Sequence, residues 1–190
     1  MKKRTCIHPR KVRKVMKQFL NETCDLTYTY LADEPDTIAI KSDTITIELS
    51  KGRQFCAEGI DTVNDAVNGV LNIYYNLDQL SHKVTKIFRS YWTEKNPMLK
   101  GFSDVTLALL HELGHFETAD EIRETFTFAD RTLAMTAIRN NCHDLKSANY
   151  TYYKMPDETA ATEWAINWLS NAENRKKAKA FEKKFFACFE

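Results

Sequence analysis

The chain has 190 residues, a formal net charge of +1, 43% hydrophobic residues and 12% aromatics. That is enough for one substantial core over residues 1–190, too apolar for a disordered segment, and without the charge excess that draws a chain to nucleic acid or acidic membranes. No apolar run approaches the ~20 residues of a membrane span, and the basic start MKKRTCIHPRKVRKV lacks the apolar segment of a secretory signal.

Residues 9–20 read as a helix that opens at Pro9, with Val12, Val15, Met16, Phe19 and Leu20 on one face and Arg10, Lys11, Arg13, Lys14 and Lys17 on the other. The basic face reads as a solvated one, since no nucleic-acid motif accompanies it. Three runs of alternating β-formers follow: LTYTYLA (26–32), TIAIKS (37–42) and TITIELS (44–50). DEPD and SD punctuate them as turns would, which predicts a small antiparallel meander. VLNIYYN (70–76) is a fourth strand candidate, either an ordinary sheet strand or the edge on which an extended substrate is held.

From about residue 77 the period becomes helical, with Leu80, Val84, Ile87, Phe88 and Tyr91 at helix spacing until KNPMLKG interrupts. Ser103 or Asp104 caps the next helix, one more covers roughly 119–139, and the tyrosine-bearing NNCHDLKSANYTYYKMP reads as a loop. Two helices, near 157–170 and 173–189, close the chain. Strands over 26–76 followed by helices over 77–190 predict an α+β domain, a small antiparallel or mixed sheet beside a helical bundle. The five cysteines, Cys6, Cys24, Cys56, Cys142 and Cys188, are odd in number and form no C-x-x-C pair, the usage of a reducing compartment such as the cytoplasm.

The chemistry concentrates in LALLHELGHFET, residues 107–118. His111 and His115 are four apart, about 400° of rotation and ~6 Å of rise on a helix, so both imidazoles leave from nearly one face. Two neutral imidazoles so placed suit one Zn²⁺, with a third protein ligand and a water completing the set. Glu112 is then placed to act as general base on that water, as in H-E-x-x-H peptidases. The bland alternative is a pair of core histidines hydrogen-bonded to backbone. Against it stands a helix that is apolar almost all round, where two imidazoles and a carboxylate are expensive without a metal or hydrogen bonds. Gly114 costs ~1 kcal/mol relative to alanine in a helix interior, which predicts close approach of another element there.

The metzincin pattern would need a histidine at 121 and a glycine at 118, where Glu121 and Thr118 stand. Downstream, MPDETAATEWAINWL supplies Asp157, Glu158 and Glu163 as acidic candidates. The apolar stripe of that helix runs through Ala161, Trp164, Ala165, Trp168 and Leu169. Glu158 lies on its margin, Glu163 faces solvent, and Asp157 is in phase but close to the helix N-terminus. Glu158 is the expected third ligand. Tyr150, Tyr152 and Tyr153 are candidate oxyanion donors, or packing residues.

HELGH followed by E-x-x-A-x-x-W-A resembles the ImmA/IrrE family of zinc metallopeptidases, with Glu158, Ala161, Trp164 and Ala165 on the family's downstream pattern. The pattern's second glutamate and its asparagine fall on Ala160 and Thr162. The resemblance covers about residues 70–170. It implies a zincin-like fold, a narrow endopeptidase acting on a specific protein such as a DNA-bound repressor, and frequent carriage on phages or mobile elements. The competing expectation is a non-catalytic module whose zinc is structural and whose surface docks a regulator or nucleic acid; the intact Glu112 favours the enzyme.

Overall fold

The computed structural model describes the backbone of residues 9–24, 29–34, 37–41, 46–51, 56–58, 70–75 and 83–188, with side chains at 11, 14–23, 89–115 and 117–188. The helices are α1 (Pro9–Cys24), α2 (Lys83–Lys95), α3 (Asp104–Glu117), α4 (Ala119–Thr125), α5 (Phe128–Asn141), α6 (Leu145–Tyr152), α7 (Pro156–Ser170) and α8 (Ala172–Phe186), with a 3₁₀ turn at Pro97–Gly101.

The expected α+β class is overturned by this architecture. Of the residues described with side chains, 86% are helical and none lies in a strand. Among these residues, core and candidate site are therefore built by helix on helix. Alternating β-formers bias a backbone toward extension, but the core volume here is filled by the apolar stripes of α1, α3, α7 and α8. Between α1 and α2, only backbone is described for β1 (Thr29–Glu34), β2 (Thr37–Lys41), β3 (Thr46–Lys51), β4 (Cys56–Glu58) and β5 (Val70–Tyr75). They pair in the order β1-β2-β3-β5-β4, with β5 parallel to β3. Val70–Tyr75 is thus an inner strand, the ordinary-strand alternative of the two weighed for this segment, and β1 and β4 lie at the edges.

Two further expectations change. The helix expected over 119–139 breaks at Phe126–Thr127, because Thr127 and Asp130 form a capping box that starts α5 afresh. The tyrosine-bearing loop contains α6, started by Asp144, whose carboxylate accepts the Ser147 N–H at 2.9 Å.

The packing that positions the site is centred on α3. Val105, Leu107, Leu109, Leu110 and Leu113 are buried, which is why the helix runs through the interior against α7. Its N-terminus is held from two sides. On α8, Glu182 accepts from the Ser103 N–H and from the Thr106 hydroxyl at 2.9 Å. On α2, Arg89 donates to Asp104 at 2.7 Å and to the carbonyls of Phe102 and Lys100, both at 2.9 Å. Ser103 also caps the helix directly, its hydroxyl 3.3 Å from the Thr106 N–H. α1 joins α8 through Phe19 stacked on Phe181, centroids 4.3 Å apart, while Lys11 and Lys14 stay exposed. No helix among the described residues is long and apolar enough to cross a membrane.

Candidate metal centre

The site forms where α3 and α7 come closest. At Gly114 an added β-carbon would stand 2.4 Å from the carbonyl oxygen of Ala161 and 2.8 Å from its α-carbon. Glycine and alanine at this crossing let two backbones touch, and that contact sets Glu158, one turn before Ala161, across from the histidines three residues before Gly114 and one after it.

Glu158 Oε2 lies 2.9 Å from His111 Nε2 and 3.5 Å from His115 Nε2. The two imidazole centroids are 4.7 Å apart with rings inclined by 76°, so both present Nε2 to the same oxygen. Ligands of a tetrahedral zinc, each ~2.0–2.1 Å from the ion, stand about 3.3–3.4 Å from one another. The two distances from Glu158 Oε2 lie on either side of that spacing. Glu112 sits beside them, half-buried, its carboxylate within 4.8 Å of the ligand atoms of both histidines. Of the other acidic candidates, Glu163 is exposed, and Asp157 is buried against Arg131 instead of facing the imidazoles.

The surroundings are those of a buried polar cluster that is nearly fully partnered. Thr162 Oγ1 is 3.2 Å from His111 Nδ1, fixing the ring and leaving Nε2 for the centre. Trp92 packs edge-on to the same ring, centroids 5.5 Å apart. Arg131, on α5 and buried, donates to Glu158 Oε1 from both terminal nitrogens, at 3.3 and 3.2 Å, and also binds Asp157 Oδ2. The Tyr152 hydroxyl accepts from Arg131 at 3.1 Å. Of the other tyrosines, Tyr150 donates to Glu94 at 2.7 Å, and Tyr153 stacks on Tyr91 at 4.9 Å.

Electrostatics separates the two imidazoles. Burial lowers the pKa of His111, offset only in part by its bond to Glu158. Burial pulls His115 the same way, but the charges of Glu158 and Glu112 outweigh it and raise its pKa. Burial would raise Glu158, yet the two histidines hold it well below the ordinary carboxylate value, so it is ionised. With both imidazoles neutral, Asp157 and Glu158 outweigh Arg131 by one negative charge, and Glu112 adds another. A divalent cation neutralises that excess, and the donor set of two imidazoles and a carboxylate suits zinc. The residues fit the group.

Sequence reasoning named the four residues brought together here, did not name Arg131, and named Thr162 only as the position of the family pattern's missing asparagine. Arg131 carried a signal: it lies on the stripe of α5 that continues through Ala134, Met135, Ile138 and Cys142, where an arginine needs a buried partner. Thr162 was hidden by the phase chosen for α7. The buried stripe runs Glu158, Ala161, Thr162, Ala165, Leu169, and the two indoles sit half-buried at its margin.

No family model, curated protein or solved structure matches the chain.

Proposed function

We propose that the protein is a zinc-dependent endopeptidase that hydrolyses a peptide bond in a specific protein partner, with His111, His115 and Glu158 as metal ligands and Glu112 as general base. The observation that carries this reading is the convergence of two Nε2 atoms and Oε2 within 2.9 and 3.5 Å, with an independent carboxylate beside them. A bound zinc would supply Lewis-acid activation of a water and of the scissile carbonyl. Glu112 accepts the proton of the attacking water and delivers it to the leaving amine. His111 is held for its task by Thr162, and buried Trp92 packs edge-on to its ring. A structural site has no need of Glu112, which is why the enzyme is preferred.

The identity of the partner rests on the resemblance to the ImmA/IrrE family. A DNA-binding repressor, met in the cytoplasm of a cell carrying a phage or mobile element, is the proposed substrate. The second reading is a binding module with a structural zinc. It is favoured by one observation, the side-chain exposure of only 4, 7 and 1% at His111, His115 and Glu158. The two separate in cells: wild type should deplete a host or phage regulator, and Glu112→Gln should bind metal yet leave that regulator intact. Equal action by both proteins would establish the binding module.

A further inference from the structure

The two oxygens of the Glu158 carboxylate face different partners. Oε2 faces the imidazoles, at 2.9 Å from His111 and 3.5 Å from His115, and Oε1 takes both terminal nitrogens of Arg131, at 3.3 and 3.2 Å. Tyr152 also hydrogen-bonds this carboxylate. The guanidinium is itself held, by Asp157 on one side and the Tyr152 hydroxyl at 3.1 Å on another, with its central carbon 5.6 Å from the centre of the Tyr152 ring. Arg131 is buried, as are Asp157 and Glu158, so little water screens these contacts.

We propose that Arg131 is the positioning residue of the metal centre: by occupying Oε1 it restricts Glu158 to a single ligating oxygen and fixes that oxygen between the two histidines. The proposal rests on the metal-centre reading above and adds a role that no motif in the chain marks. A free carboxylate can offer a metal one oxygen or two, and two would take up coordination space that an attacking water and a substrate carbonyl need. A forked guanidinium anchored at a fixed point removes the second option. Asp157 completes the arrangement. Its charge offsets the guanidinium, and its engagement there explains why, of two adjacent buried carboxylates, only Glu158 faces the imidazoles.

The test uses the full chain loaded with Co²⁺ in place of Zn²⁺, since the intensity of cobalt's visible bands distinguishes four from five ligands. Wild type should give the intense spectrum of four-coordination. Arg131→Lys keeps the charge without the fork and Arg131→Met removes both; each should weaken zinc binding about 10–100-fold and shift the cobalt spectrum toward five-coordination as Oε1 is released. Thermal melts and circular dichroism identify folded variants. Folded variants with wild-type affinity and spectrum would overturn the proposal and leave the metal centre intact. Failure of both variants to fold in the presence of saturating zinc would assign Arg131 to the fold and equally overturn it. A wild-type chain that takes up neither ion would remove the centre itself.

Discussion

Gly114 and Ala161 are in backbone contact: the hydrogen of Gly114 occupies a place where a β-carbon would be 2.4 Å from the Ala161 carbonyl oxygen. This one crossing couples helix packing to chemistry, because the same approach brings Glu158 to His111 and His115. Gly114→Ala gains ~1 kcal/mol of helix propensity but must displace backbone rather than a flexible side-chain tip. Overpacking of this kind costs about 1–3 kcal/mol. We expect a lower melting temperature together with weaker zinc binding, measured on the same preparation by thermal denaturation and zinc titration. A variant of unchanged stability and unchanged affinity would show that the crossing does not set the site.

The three acidic candidates of α7 should separate by metal affinity. Glu158→Ala removes the carboxylate that faces both imidazoles and should abolish tight binding. Glu163→Ala touches an exposed residue and should bind as wild type does. Asp157→Ala leaves Arg131 without its second carboxylate, so a loss of stability is expected with a smaller loss of affinity. Competition titrations against a zinc chelator rank the three. A Glu163→Ala defect equal to that of Glu158→Ala would refute the ligand assignment.

The position of these residues was legible in the chain to an unequal degree. Spacing alone put His111 and His115 on one helix face with Glu112 next to the first, and phase alone separated Glu158 from Glu163, because both are local properties of a helix. The approach at Gly114 was also legible, since glycine in a helix interior has a cost that contact explains. What was not legible was the rest of the packing between distant segments. Alternating β-formers over 26–76 suggested a sheet as half of the packed body, whereas the described core is closed by helices more than a hundred residues apart, Phe19 on Phe181. Arg131, which binds Glu158, lies on a helix that Thr127 and Asp130 start afresh, a break that periodicity over 119–139 does not register.

Glu182 joins the last helix to the N-terminus of the motif helix, and its contribution should depend on pH. Burial would raise its pKa, but Lys179, the Ser103 N–H and the Thr106 hydroxyl together hold it below the ordinary carboxylate value. A carboxylate with a depressed folded pKa adds stability that is fully present above its unfolded value, about 4.3 for glutamate, and is lost as pH falls through the folded value. Glu182→Gln should therefore destabilise by about 1–3 kcal/mol at neutral pH, the worth of hydrogen bonds to a charged group. The difference from wild type should shrink below about pH 4. Denaturant melts of both proteins at neutral and acid pH provide the check, and a gap that widens in acid would reverse the assignment.

The central claim is that two histidines and Glu158 form a metal centre served by Glu112. It is tested most directly by elemental analysis of untagged protein purified without chelators, alongside Glu112→Gln and Glu158→Ala. The account predicts about one equivalent of zinc in wild type and in Glu112→Gln, as a site with two imidazoles and one carboxylate requires, and none retained by Glu158→Ala. Wild-type protein that carries no metal and takes up none from micromolar zinc would contradict it.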